Sequence, residues 1–557
     1  MPQGFPLTSR VAAATQPEET PSPTGAQGTP KSRGPGGTKP LRFVLQVLTA
    51  VGAVCTGGIL YGLAFPPYDQ SGAAWVALVP LLLWVRERSG TRAFLFGAAY
   101  GLASAVSVGA WLAPTIARFF GVPLIVGLLG ASLYWLTFWS TAFGLFAAGA
   151  ARLLSSSRPM TAAFTTAALW VASEFLRGRI MGHPWCLLGY SQHAHVALIQ
   201  VAALTAVYGV SFLLALVNTA IAEAIAATWS GRGLADALRP LAVATALVAT
   251  VCISGAVVAG PHMASGMQMI AIVQSNVPPA RLWTRAYTDH QIATHTRMMD
   301  DSVPASGTAL VVWPENAVPR YLEVEPGLAA FLGALAQRHD SNLLFGTLRY
   351  QDGQSYNSVQ LITAAGRNGG HYDKQRLVVF AEVNPLHPAT RGDPSENPGQ
   401  FTAGGGPDVL PSFVPLGVSI CQELLFPEAA ARAARAGAAL LVNVANDGWL
   451  DPETGMASRR LFAMAVFRAV ETRRYLIRAA TTGVSGVFDP YGRIVASLPY
   501  GEAGVLFAWV DGQTTTTPYV RLGDAFAMGC VAVAAAALFW RHVSLTSLRQ
   551  RLAAWSH

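Results

Sequence analysis

The sequence predicts a bundle of membrane-spanning helices joined to a layered α/β domain, and three observations carry that prediction. Of 557 residues, 52% are hydrophobic and only 12% are charged, about half the charged share of an ordinary soluble domain. Apolar segments of spanning length crowd the first half of the chain. Between the seventh and an eighth lie roughly 250 residues of soluble character in which strand-like and helix-like pieces alternate, the pattern of a layered α/β domain.

Taken in order, residues 1–40 include PSPTGAQGTPKSRGPGGTKP, too rich in Pro, Gly, Ser and Thr to bury a core, and read as a disordered cytoplasmic tail without a cleavable signal. A seven-helix transmembrane domain follows over 41–262. A span needs about 20 apolar residues, and the candidates are 43–65, 72–85, 93–113, 121–150, 161–176, 198–228 and 240–260. An eighth, 522–540, lies in a C-terminal segment, 516–545, ahead of a second cytoplasmic tail, 546–557. Basic short loops stay on the cytoplasmic side. With Lys31, Arg33, Lys39 and Arg42 inside, the groups Arg86/Arg88/Arg92, Arg152/Arg158, Arg232/Arg239 and Arg541/Arg549/Arg551 also fall inside, while Arg118, Arg177 and Arg179 lie opposite. Seven crossings then deliver the soluble domain, 263–515, to the outer face of the membrane.

Within that domain MQMIAIVQSNV, TALVVWPE, SNLLFGTLRY, NSVQLITA, GVSIC and ALLVNVAND read as strands, and GLAAFLGALAQRH and SRRLFAMAVFRAVETRR as helices. The net charge of +8 comes from dispersed Lys and Arg rather than a block, so loop orientation explains it and nucleic acid is not implied. No Gly-rich phosphate motif follows a strand, and the five cysteines (Cys55, Cys186, Cys252, Cys421, Cys530) share no metal-ligand spacing. Neither a metal nor a cofactor is expected.

Three predicted strand ends each present one reactive group. Glu315 follows the run Leu310–Trp313 in TALVVWPENAVP, Lys374 follows a Gly-rich turn in GGHYDKQRLVVFAE, and Cys421 ends GVSIC ahead of QELLFPE. A carboxylate can take a thiol proton, a thiolate can attack a carbonyl, and an ammonium can steady both the thiolate and an oxyanion. Singly, each has a plain competitor, since cysteines pack as small hydrophobes and most Glu and Lys sit in water. Their combination at strand ends carries the signal.

WPENAVP, YDKQRLVVFAE and SICQELLFPE, in the order Glu, Lys, Cys, resemble the catalytic segments of the nitrilase superfamily. Set among seven-plus-one spans, they are similar to those of its membrane-embedded branch, the apolipoprotein N-acyltransferases, over residues 45–540. VQSNVPPARLW, NVANDGWL, RAVETRRYLIRAATTGVSGVFDPYG, HPWCLLGYSQ and VYGVSFL support the likeness. The resemblance implies an αββα sandwich on about eight helices, with Glu315 as general base, Lys374 as oxyanion and thiolate stabiliser and Cys421 as nucleophile. It also implies Glu382 and Glu423 as positioning carboxylates and Trp283 as an aromatic at the mouth of the site. The implied partners are a phospholipid acyl donor and a diacylglyceryl apolipoprotein acceptor, served by a monomer. Two departures from the family pattern fall beside the site: LVVFAE places Val379 and Ala381 where proline and glycine are common, and Gln422 stands where tyrosine often follows the cysteine. A membrane-tethered amidase using water as acceptor, and a non-catalytic lipid-binding or transport scaffold, are the competing readings.

Other polar residues near the spans are expected to be structural. Glu174 is placed to pair with Arg177 three residues on, Glu223 to lie near the inner surface, and His183, His193 and His195 to pack at the interface.

Overall fold

The computed structural model describes residues 38–155, 158–231, 233–261, 266–280, 283–383, 400–405 and 409–554. Most of the predicted N-terminal tail lies outside them. Two compact units divide at Thr49 and Ala50; the described part of the first is the opening of helix α1 (Thr38–Leu63).

The helical half continues with α2 (Val79–Val85), α3 (Gly90–Gly109), α4 (Leu112–Phe120), α5 (Leu124–Trp135), α6 (Thr141–Leu154), α7 (Pro159–Arg179), α8 (Val196–Ile199), α9 (Ala202–Thr205), α10 (Val207–Trp229) and α11 (Leu234–Val258). Among the described residues five runs are long and apolar enough to cross a membrane: Val44–Leu63, Gly90–Gly109, Leu124–Leu154, Val207–Trp229 and Leu238–Val258. Ser71–Val85, Val196–Thr205 and Ala525–Trp540 are shorter apolar helices. The predicted segment 121–150 is one run because a π-helical turn, Leu136–Ser140, carries α5 into α6. The predicted segment 198–228 is broken at Ala206, whose φ of +53° ends α9 and starts α10. Close packing relies on small side chains: a Cβ on Gly97 would lie 2.3 Å from the Ala147 Cβ, so α3 and α6 approach to backbone contact only because that position is glycine.

Several polar groups inside this bundle are paired. Glu223 takes a bidentate ion pair from Arg86, at 2.5 and 3.1 Å. Glu174 does not pair directly with Arg177 as expected; its Oε1 accepts from the Leu188 backbone N–H at 2.6 Å, while Arg177 stacks over Trp139 and donates to the Trp185 carbonyl. A loop folding back onto the helix supplies a nearer donor than the neighbouring turn does. His183 accepts from Trp139 Nε1 at 2.8 Å and contacts the Tyr134 hydroxyl.

The remaining elements form the α/β domain. They are β1 (Gln268–Gln274), α12 (Arg285–Ser302), β2 (Thr308–Val312), β3 (Val318–Tyr321), α13 (Pro326–Arg338), β4 (Asn342–Gln351), β5 (Gln354–Ile362), β6 (Asn368–Asp373), β7 (Val409–Leu410) and β8 (Leu416–Ile420). They continue with α14 (Pro427–Arg435), β9 (Leu440–Ala445), α15 (Met456–Thr472), β10 (Tyr475–Ala480), β11 (Ser485–Phe488), β12 (Ile494–Leu498), β13 (Gly504–Val510) and α16 (Pro518–Leu522), whereas the last helix, α17 (Ala525–Ala554), returns to the bundle and packs on α6 and α7. One sheet runs β13-β1-β2-β4-β5-β6 with β3 beside β4; the other runs β12-β11-β10-β9-β8-β7.

Alternation of side chains along each strand builds the layers. Ile270, Ile272, Leu310, Val312 and Leu344 of the first sheet meet Val418, Ile420, Val442, Val444 and Ile477 of the second in one core. The opposite face of the first sheet, with Ala271, Val273, Val311 and Phe345, packs on Ile292 and Met299 of α12 and Leu332 and Leu335 of α13. The opposite face of the second, with Leu441 and Leu476, joins Leu461 and Val466 of α15 in a core continuous with the helical bundle. The domain is therefore an αββα sandwich, and its second helical layer is shared with the bundle.

Candidate active site

Glu315, Lys374 and Cys421 come from three separate loops and converge. Glu315 follows β2 and Pro314, beside β4. A Cβ on Gly346 would lie 2.5 Å from the Glu315 Cα, so a bare backbone at that point lets the loop sit against the strand. Lys374 follows β6 directly, and its predecessor Asp373 is clamped by Arg349, with Nε–Oδ1 2.9 Å and Nη2–Oδ2 2.5 Å, and by the Ser358 hydroxyl at 2.6 Å. Cys421 opens a short 3-10 turn after β8 in the left-handed region, φ +52°. A non-glycine residue held there stores strain that its surroundings must over-determine.

The three groups are buried, with Glu315 5%, Lys374 1% and Cys421 8% exposed. Lys374 Nζ donates to Glu315 Oε1 at 3.1 Å and to Glu382 Oε1 at 2.9 Å. Asn357 Nδ2 donates to the same two oxygens at 2.8 and 2.7 Å. The second oxygens are held by backbone donors: Asn446 N–H to Glu315 Oε2 at 2.9 Å and Val378 N–H to Glu382 Oε2 at 2.8 Å. Burial opposes the charge on Lys374, but Glu315 and Glu382 outweigh it and keep the ammonium well above its ordinary pKa. Burial pushes the Cys421 thiol well above its ordinary value, Glu315 pushes the same way, and Lys374 pulls against both. The resting pair is thus a neutral thiol beside a charged ammonium.

Glu423 does a different job from Glu382. It is 2% exposed, and its carboxylate accepts from the backbone N–H groups of Ile420 (2.8 Å), Gln375 (2.8 Å) and Arg376 (3.0 Å) and from the Tyr372 hydroxyl. One side chain thereby ties the Cys421 turn to the loop that carries Lys374. Burial raises its pKa against the pull of those donors and of Lys374. Trp283 stands half-buried two residues before α12, with no hydrogen bond to Glu315, Lys374 or Cys421 among the described residues. Val379 and Phe380, in the segment that departs from the family pattern, are 56% and 52% exposed. Gln422 donates to the Arg376 carbonyl at 3.3 Å.

Sequence reasoning missed Asn357, although it opens the predicted strand NSVQLITA, and it missed the Asn446 N–H, although it quoted NVANDGWL. An asparagine at a strand start has no signal of its own. Only the pairing of β4 with β5 brings Asn357 under two carboxylates.

A cysteine, a lysine and a glutamate converging at the strand ends of an αββα sandwich define a carbon–nitrogen hydrolase fold, and residues 269–519 match the family model described as carbon-nitrogen hydrolase. Residues 57–220 match the apolipoprotein N-acyltransferase N-terminal domain. The chain is 32% identical to an apolipoprotein N-acyltransferase of Geobacter metallireducens over 88% of this chain and 95% of that one. The corresponding values are 32%, 86% and 93% for one of Methylococcus capsulatus, and 30%, 82% and 90% for one of Pseudomonas putida. A carbon-nitrogen hydrolase from Helicobacter pylori superposes with a TM-score of 0.35 at 19% identity, covering 44% of this chain and 89% of that one. The chain belongs to the apolipoprotein N-acyltransferase family.

Proposed function

We propose that this chain transfers an acyl group from a membrane phospholipid to the N-terminal amine of a diacylglyceryl-modified lipoprotein, through a thioester on Cys421. The observation that carries the proposal is the buried Lys374 ammonium between Glu315 and Glu382, beside a thiol presented on a left-handed turn. Family membership supports acyl transfer to lipoproteins, and the site supplies its chemistry.

Because the thiol rests protonated, Glu315 takes the proton as sulfur bonds to the ester carbonyl carbon, rather than acting on a preformed thiolate. The carbonyl π electrons move onto oxygen, and the Lys374 ammonium stabilises the oxyanion. Collapse expels the lysophospholipid alkoxide, which takes the proton from Glu315 and leaves the thioester. The acceptor amine then gives a proton to Glu315, attacks the thioester and forms the amide, and the departing sulfur recovers its proton. Asn357 and the Asn446 N–H hold Glu315 facing the thiol throughout.

Both substrates are anchored by acyl chains, and extracting a chain into water costs about 0.8 kcal/mol per CH₂. We read the chain as eight crossings, the five long apolar runs, the shorter apolar helices Ser71–Val85 and Ala525–Trp540, and α7 over the predicted segment 161–176, placing residues 263–515 on the outer face of a bacterial inner membrane. The outward display of Ile59, Leu95, Leu129, Leu133, Ile253, Val257 and Phe539 supports a lipid-facing belt. We take the working unit to be a monomer, and Trp283 to stand at the mouth of the site.

Intact-protein mass spectrometry after incubation with phospholipid alone tests the mechanism. A hydroxylamine-labile acyl adduct on the wild type, absent from Cys421→Ser, is expected. A folded wild type that never acquires an adduct sinks the thioester route and favours the tethered amidase.

A further inference from the structure

Cys421 sits in a strained conformation, and what restrains it comes from the far side of the second sheet. Ser419, Asn443 and Arg478 are register partners across β8, β9 and β10. Their side chains point toward α15, away from the core between the sheets, to which Leu440, Val442 and Val444 of β9 belong. Asn443 and Arg478 are fully buried. Asn443 Nδ2 donates to the Cys421 carbonyl and the Ser419 carbonyl, both at 3.3 Å, and to the Ser419 hydroxyl at 3.1 Å. Arg478 Nη1 donates to Asn443 Oδ1, and Nη2 donates to Asp447 Oδ2 at 2.5 Å. The same Asp447 oxygen accepts from Ser458 of α15 at 2.6 Å, and the Arg478–Asp447 pair has no solvent exposure.

We propose that Arg478 is a positioning residue for the nucleophile, bracing Asn443 and Asp447 so that the Asn443 amide holds the Cys421 turn. The argument rests on donor and acceptor inventory. A carboxamide can flip, exchanging its oxygen and its NH₂, and a guanidinium only donates. With Arg478 in place, Oδ1 must face it, so Nδ2 faces the Cys421 carbonyl. Without it the amide is free to turn, and two oxygens would then meet at the nucleophile turn. The brace reaches the base as well. Asn443 and Asp447 bracket Asn446, whose backbone N–H holds Glu315 Oε2, so one guanidinium sets the strand end against which both thiol and carboxylate are registered. Asp447 also acts on the Cys421 thiol, raising it, which gives the brace an electrostatic signature.

The inference rests on the Cys421 reading above, and the test separates the two. Two variants are compared with the wild type: Asn443→Asp, isosteric, which still accepts from Arg478 but cannot donate to the Cys421 carbonyl, and Arg478→Lys, whose single ammonium cannot span Asn443 and Asp447 as the planar fork does. The readouts are the single-turnover rate of acyl-adduct formation from phospholipid and the pH profile of Cys421 alkylation by iodoacetamide. Acylation about a hundredfold slower, with the phospholipid concentration for half-maximal rate unchanged, is expected of a misplaced reacting group. In Arg478→Lys the alkylation profile should move to higher pH as Asp447 loses its close partner. Acylation within twofold of wild type in either folded variant, or a loss that disappears once rates are corrected for the folded fraction, overturns the brace. If the wild type itself forms no adduct, the nucleophile assignment fails instead. Should Arg478→Lys not fold, Asn443→Asp decides by the acylation rate.

Discussion

Two buried cations lie near the Cys421 turn, and they are held in opposite ways. Lys374 meets two carboxylate oxygens, one each from Glu315 and Glu382, through a compact ammonium whose three donors rotate freely about one bond. Arg468, on α15, has its planar fork fully engaged. Nε and Nη2 take both oxygens of Glu471 at 2.7 and 2.8 Å, Nη2 also reaches the Tyr190 hydroxyl at 3.0 Å, and Nη1 donates to the Leu424 and Leu425 carbonyls at 3.1 and 3.2 Å. Glu471 in turn accepts from the Val207 N–H at the start of α10. The Lys374 ammonium can redistribute its hydrogen bonds by rotating about one bond. The second joins the end of the Cys421 turn to the helical half and has no donor to spare. Two equally buried cations thus differ in how many of their donors are engaged.

The largest expected effect comes from exchanging the two chemistries. Lys374→Arg keeps the charge but puts a rigid fork where a rotating ammonium works, and Lys374→Met removes it. Both should slow adduct formation by about 10³-fold, the scale of losing a main oxyanion donor. In Lys374→Met the alkylation profile of Cys421 should also move to higher pH, because a cation lowering the thiol is gone. An unchanged profile would mean that the ammonium does not act on sulfur.

Next in size is stability. Arg468→Leu strands the Glu471 carboxylate in a site with no exposure and should cost about 3–5 kcal/mol, whereas Arg468→Met with Glu471→Leu should recover much of that loss. Chemical denaturation in detergent reads both. If the single variant is as stable as the double, the interface is not held by this pair. Asn357→Ala should come third. It leaves Lys374 in place but frees one hydrogen bond on each of Glu315 and Glu382, so a roughly tenfold slower acylation with a small Tm change is expected.

The last prediction is a pH dependence. Burial raises the Glu471 carboxyl from its ordinary range to about 7, against the pull of Arg468. A carboxyl raised on folding binds its proton more tightly in the native state, so its contribution is full below pH ~4.5 and is lost as the pH rises to about 7. The Tm of the wild type relative to Glu471→Gln should therefore fall across that window and level off above it. A difference that is flat with pH would show that Glu471 stays ionised throughout.

Much of the αββα layering was legible because six of its strands are β-branched runs ended by Pro, Gly or a polar cluster. The strand Tyr475–Ala480 was not read as one, because Arg478 interrupts its apolar pattern; the fold tolerates that arginine only because Asn443 and Asp447 accept from it. In the helical half, composition located the apolar segments but not their breaks. The turn at Ala206 is stabilised by Glu471, more than 250 residues away, through the Val207 N–H.

Local chemistry therefore determined what the sequence alone could reveal. Apolar length pointed to lipid, β-branched runs to strands, and a carboxylate, an amine and a thiol at strand ends to acyl transfer, since each signal lies within a few consecutive residues. Tertiary structure decided which groups hold those three in place. Asn357, Asn443, Arg478 and the Asn446 N–H act through strand register and loop convergence, and a hydrogen bond between residues tens to more than a hundred positions apart exists only once the chain has brought them within 3 Å or so.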